Sequence, residues 1–141
     1  MGRIKLGLII DDNEMDTFVV KAVLEKFNFA ESVISVPGAH KALELVQGLK
    51  KQIEDGHLSV EEVCIFLDYE MPYMNGGGFI SALEAMAPDF LQRTYMLSIL
   101  SVEEQIACLK MKPAIKGFLS KPLGEATLLQ ILSQQEIQKA V

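Results

Sequence analysis

Histidine and cysteine are both scarce, with two of each in 141 residues. His40 and His57 sit in polar segments and read as solvated surface residues. That leaves too little histidine for a Ser-His-Asp triad or a histidine-rich metal site. Cys64 and Cys108 lie in apolar surroundings without CxxC spacing, which fits small buried hydrophobes in a reducing compartment and not a disulfide framework. Basic residues are outnumbered, 13 Lys and Arg against 19 Asp and Glu, for a net charge of -6. A nucleic-acid surface needs clustered cations, so direct nucleic-acid binding is a poor reading. Long hydrophobic runs are missing as well. Ile4 to Ile10 is too short for a signal segment and runs straight into Asp11-Asp12, and no stretch approaches transmembrane length. These absences lead to the expectation of a soluble, cytoplasmic protein with no membrane partner.

What is present is apolar material in short pieces. Half of the residues are hydrophobic, enough for a single domain with a substantial core. Ile4–Ile10 reads as a strand broken by Asp11-Asp12-Asn13, with Asn13 as N-cap of a helix to about Phe27. Met15, Phe18, Val19, Ala22, Val23 and Phe27 recur at helical spacing and are expected to form its buried face. Ser32–Val36 is a second strand, ended by Pro37-Gly38. A helix follows with Ala39, Ala42, Leu43, Val46 and Leu49 inward. The polar stretch from Lys50 to Glu62 either extends that helix or forms a surface loop. Val63–Leu67 is the central strand, and Phe79, Ile80, Leu83 and Met86 mark a third helix stopped near Pro88. Tyr95–Leu97 is a fourth strand. Val102 to about Met111 is a fourth helix with Ile106 and Leu109 inward, Ile115–Leu119 a fifth strand, and a last amphipathic helix carries Leu128, Leu129 and Leu132. Strands alternating with helices predict an α/β fold, a doubly wound five-stranded parallel sheet covered on both faces.

The residues that end those strands carry the chemistry. Strand one ends in Asp11 and Asp12, strand three in Asp68, strand four in Ser98 and strand five, after Ser120, in Lys121. In a parallel sheet all of these ends share one edge, where ligands of open α/β sheets bind. Singly, each has a bland reading: Asp11 or Asp12 as a helix cap, Asp68 as a turn residue, Lys121 as a surface lysine. Together they place three carboxylates, a hydroxyl and an ammonium in one crevice. Three acids so placed repel one another, and Mg²⁺ relieves this while leaving sites for water and a phosphate oxygen. A carboxylate can itself attack phosphorus, and phosphoryl transfer asks mainly for positioning and charge neutralisation.

Four stretches in this order resemble the receiver domain of two-component response regulators: Leu8-Ile9-Ile10-Asp11-Asp12-Asn13-Glu14, Phe66-Leu67-Asp68-Tyr69-Glu70-Met71-Pro72-Tyr73-Met74-Asn75-Gly76, Tyr95-Met96-Leu97-Ser98 and Gly117-Phe118-Leu119-Ser120-Lys121-Pro122. The resemblance covers residues 1–141 and implies a flavodoxin-like (βα)5 fold with strand order 2-1-3-4-5. It implies that Asp68 accepts a phosphoryl group from a sensor histidine kinase or histidine phosphotransfer protein. It also implies that Asp11, Asp12, Asp68 and the backbone carbonyl of Glu70 hold Mg²⁺, or Mn²⁺ in its place. Ser98 and Lys121 would bind the phosphoryl group, and the Lys121-Pro122 bond would be cis. Ser98 and Phe118 would form the switch that reshapes the face made by helix four, strand five and helix five, where a downstream protein docks. Phe118 lacks the hydroxyl common at that position in the family, so the resemblance implies that it would signal by packing alone.

The sequence departs from the family pattern in bulky Ile99 and Leu100 after Ser98, in the anionic Glu70 and in the Gly76-Gly77-Gly78 run. The function implied is a stand-alone phosphoacceptor module without an output domain, monomeric or dimerising on phosphorylation. It is not an enzyme beyond accepting and slowly losing its own phosphoryl group. Two other readings stand beside it: an interaction scaffold that is never phosphorylated, and a Mg²⁺-dependent phosphohydrolase with Asp68 as nucleophile.

Overall fold

The computed structural model describes residues 4–71, 74–99, 103, 104, 106, 107 and 115–131. Strands β1 (Ile4–Ile10), β2 (Ala30–Val36), β3 (Val63–Asp68), β4 (Thr94–Ser98) and β5 (Gly117–Ser120) form one sheet in the order β2-β1-β3-β4-β5, parallel at every pairing. All six residues of β3 are buried, as a strand covered on both faces requires. Helices α1 (Glu14–Lys26), α2 (Ala39–Glu54) and α3 (Gly76–Met86) connect the strands, and a helical stretch 125–131 follows β5. One core cluster joins Leu8, Ile10, Ile65 and Leu67 to Val46 of α2 and to Phe79 and Leu83 of α3. The opposite face packs Ile9, Cys64 and Phe66 against Val20 and Leu24 of α1 and against Leu128 and Ile131. Alternate residues of the same strands thus serve the two layers, because successive strand side chains point to opposite faces.

Several boundaries and faces differ from the sequence expectation. β2 begins at Ala30, and β5 runs from Gly117 to Ser120, with Ile115 buried just before it. The polar stretch after Lys50 resolves into helix to Glu54, a turn, and a short 3-10 segment Val60–Glu62. Gly56 (φ 82°) supplies the left-handed residue of that turn, and its N–H donates to the carbonyl of Ile53.

The buried residues of α1 are Val20 and Leu24, with Val23 and Phe27 packed beside them. Met15, Phe18, Val19 and Ala22 face outward. Helix α1 is apolar over most of its circumference, so periodicity alone could not choose which arc meets the sheet. Ile106, expected inward, is exposed: the run Ile106-Ala107-Cys108-Leu109 is apolar on every side and fixes no phase. Leu129 is exposed, and Ile131, three residues from Leu128, takes the inner position. Leu100, Cys108, Leu109 and Leu132 lie outside the described residues.

Two glycines at helical positions have opposite reasons to be there. A Cβ on Gly76 would lie 2.5 Å from Met96 Sδ and 3.0 Å from Tyr69 Cα, so the start of α3 packs directly on the end of β3. The Gly76 N–H donates to the Tyr69 carbonyl at 2.8 Å, and Asn75 caps the helix by accepting from the Gly78 N–H. Gly48 lies inside α2, with nothing within 4 Å of such a Cβ. Gly76→Ala is therefore expected to cost about 1–3 kcal/mol through overpacking. Gly48→Ala should gain about 0.5–1 kcal/mol through reduced backbone entropy of the unfolded chain. Urea denaturation of the two variants checks both signs.

Candidate phosphoryl-acceptor crevice

The carboxyl edge of the sheet forms an open crevice of about 550 Å³, lined by Asp12, Asn13, Asp16, Asp68, Glu70, Ile99, Lys121 and Pro122. Each wall follows from a strand ending. β1 stops at Ile10, and Asp11 turns back so that its Oδ1 accepts the Asn13 backbone N–H at 2.9 Å. Asn13 then caps α1 by accepting from the Asp16 N–H at 2.9 Å. Asp68 is the last residue of β3 and is only 2% exposed. Its Oδ1 accepts the Glu70 N–H at 3.3 Å. Ser98 ends β4, fully buried, and Lys121 follows β5 with a cis bond to Pro122.

Lys121 ties the crevice together. Its Nζ lies 2.7 Å from Asp68 Oδ1, 2.9 Å from Asp16 Oδ2 and 3.4 Å from Asp11 Oδ2. Burial works against the ammonium, but hydrogen bonds to Asp68 and Asp16 and the charge of Asp11 outweigh it and hold its pKa above the ordinary lysine value. For Asp68 the balance falls the other way. Burial, helped by the charge of Asp11, overcomes the pairing with Lys121 and pushes the carboxyl up to about 7.

The sign of the pH effect follows. A folded-state pKa raised above the ordinary 3.8 means that the folded chain binds this proton more tightly than the unfolded chain. The Asp68 contribution to stability is therefore expected to decline as pH rises from about 4 through about 7 in a chelating buffer. Urea midpoints at pH 5 and pH 8, taken as the difference between the native chain and Asp68→Asn, read it. A difference that does not change with pH would refute it.

Carboxylate oxygens of Asp11, Asp12 and Asp68 all lie within 4.8 Å of one another. Opposite ligands of an octahedral Mg²⁺ shell with bonds of about 2.1 Å are about 4 Å apart, so the set needs little closure to hold such an ion. Asp11 Oδ2 is buried and has no hydrogen-bond partner among the described residues, only the Lys121 ammonium at 3.4 Å, so a cation could take it as a ligand. The donors fit a hard divalent ion.

Of the residues expected from the sequence, Asp11, Asp12, Asp68, Glu70, Ser98 and Lys121 meet at this edge. Phe118 lies on β5 opposite Met96, half-buried against the core cluster on that face of the sheet. Ile99 is 75% exposed and rims the crevice mouth. Two contacts were not foreseen. Asp16 reaches Lys121 from the first turn of α1; its position four residues past Asp12 puts it near this edge, but nothing in the sequence marks Lys121 as its partner. The Glu70 side chain, in addition to any use of its carbonyl, accepts from Ser98 Oγ at 2.9 Å, which nothing in the sequence signals. His40 and His57 are exposed and do not line the crevice; Cys64 is buried, its thiol pushed up to about 12 by burial. No helix among the described residues is long and apolar enough to cross a membrane.

A family model described as the response regulator receiver domain matches residues 8–133. A comparison with curated proteins finds no match. Among solved structures, a two-component response regulator from Cytophaga hutchinsonii is similar with a TM-score of 0.75 at 20% identity, over 94% of this chain and 97% of that one. A response regulator receiver protein from Dyadobacter fermentans has a TM-score of 0.72 at 22% identity, over 93% and 97%. The receiver domain of the histidine kinase CKI1 from Arabidopsis thaliana, solved with Mg²⁺ and BeF3-, has a TM-score of 0.74 at 23% identity, over 94% and 89%.

Proposed function

The chain belongs to the response regulator receiver domain family, and from that premise we propose that Asp68 accepts a phosphoryl group from a phosphohistidine on a histidine kinase or phosphotransfer protein. Receiver domains are signalling modules of two-component systems and not dedicated enzymes. The observation that carries the reading is the placement of Asp68: a nearly buried carboxylate at the floor of an open crevice, 2.7 Å from a lysine ammonium.

In this reading an Asp68 oxygen attacks phosphorus in line. The P–O bond forms as the P–N bond breaks, and the electron pair leaves on the imidazole nitrogen, which takes up a proton. Lys121 neutralises one phosphoryl oxygen, and Ser98 donates its hydroxyl proton to another. Asp11, Asp12, Asp68 and the Glu70 carbonyl would hold Mg²⁺, which supplies further neutralisation of the phosphoryl charge when bound. The Mg²⁺ and BeF3- in the Arabidopsis receiver structure support that role. Movement of Ser98 toward the phosphoryl group frees space beside β5 for Phe118 to turn inward. That movement would re-form the face of helix four, β5 and helix five for a downstream protein. Helix four lies largely outside the described residues.

The test is intact mass after incubation with acetyl phosphate. One added phosphoryl group, dependent on Mg²⁺ and removed by hydroxylamine, is expected. A folded chain that gains nothing from acetyl phosphate or from a panel of histidine kinases would overturn the reading in favour of a scaffold.

A further inference from the structure

Ser98 is fully buried, and its Oγ donates to Glu70 Oε1 at 2.9 Å. A serine hydroxyl has a single proton to donate. It cannot be given to Glu70 and to a phosphoryl oxygen on Asp68 at once. The Glu70 carboxyl group also lines the same crevice as Asp68, where an arriving phosphoryl group brings further negative charge. Donor competition and charge repulsion therefore oppose modification in the same sense.

We propose that Glu70 is a latch on Ser98: in the resting chain its carboxylate stands in for the phosphoryl group, and it must release Ser98 before phospho-Asp68 is fully bound. The inference rests on the phosphoacceptor reading and deepens it, by making one side chain of this crevice a threshold for modification. A bland alternative is that Glu70 is an exposed acid that happens to reach Ser98 and acts, if at all, through its charge. The two differ in their dependence on Ser98. A latch needs the serine proton; a charge effect does not.

The probe is beryllofluoride with Mg²⁺, titrated by calorimetry into the native chain, Glu70→Gln, Glu70→Ala, Ser98→Ala and the Ser98→Ala/Glu70→Ala pair. Acetyl phosphate labelling rates are measured alongside by intact mass. Removing the latch in Glu70→Ala is expected to tighten beryllofluoride binding about fivefold, the worth of one side-chain hydrogen bond. Glu70→Gln should fall between, because the amide oxygen still accepts but carries no charge. In the Ser98→Ala background the gain from Glu70→Ala should shrink to less than about twofold, the coupling that a double-mutant cycle isolates. Unchanged or weaker binding by Glu70→Ala overturns the latch. So does an equal gain with and without Ser98, which would leave charge alone. A native chain that takes neither beryllofluoride nor a phosphoryl group fails the phosphoacceptor reading itself. A chain that takes both, with variants that do not separate, fails only the latch.

Discussion

Asp68→Asn is expected to abolish the phosphoryl adduct with acetyl phosphate and Mg²⁺, because the amide is a far weaker nucleophile toward phosphorus than a carboxylate. Other acids of the crevice do not substitute for it. Asp11 is turned back onto the Asn13 N–H, and Asp16 is tied to Lys121 at the rim. The same variant should be more stable than the native chain at pH 8 in chelator. Ionised Asp68 is there a buried anion repelled by Asp11, and burial already pushes its carboxyl up to about 7. The amide keeps an oxygen to accept from Lys121 while removing the charge. Intact mass and urea denaturation read the two effects independently. A variant that gained the adduct at the native rate would move the acceptor away from Asp68. Loss of the adduct with a lowered urea midpoint would show that Asp68 supports the fold more than burial and Asp11 oppose it.

Phe66→Ala is expected to lose about 3–5 kcal/mol of stability, the usual range for deleting a buried phenyl ring. Phe66 has no exposed surface and lies at the centre of the sheet, paired with Ile9 on β1 and Tyr95 on β4. Its ring meets Phe29 edge-on at 5.7 Å and stacks on Tyr95 at 5.9 Å, contacts that add to the area it buries. A domain of this size holds only about 5–15 kcal/mol in total, so the loss is a large fraction of it. It also sits two residues from Asp68 on β3, so a loosened strand would carry Asp68 with it. A urea midpoint that shifts by the equivalent of less than about 1 kcal/mol would mean that the core refills the space.

The crevice residues, among them the three carboxylates that could hold a cation, were legible because each is tied to a local signal. A strand buried on both faces must be continuously apolar, so its end is marked by the first polar residue. Asp11, Asp68 and Ser98 are such residues, and in a parallel sheet those ends fall on one edge whatever the intervening lengths. The inner face of α1 was not legible, since Met15, Phe18 and Val19 are as apolar as the Val20 and Leu24 that are buried. Only the angle at which the helix crosses the sheet separates them.

By itself, then, the order of apolar runs and breaks determined the alternation of strands and helices, the edge at which Asp12, Asp68 and Lys121 meet, and the resemblance that the family match bears out. Those are properties of periods and positions along the chain. Tertiary structure alone decided that Lys121 is shared between Asp68 and Asp16 and that Ser98 gives its proton to Glu70. It also decided that burial outweighs pairing at Asp68. Each depends on ångström distances between side chains from different strands and helices. Sheet register and rotamers set those distances, and neither leaves a mark in local sequence.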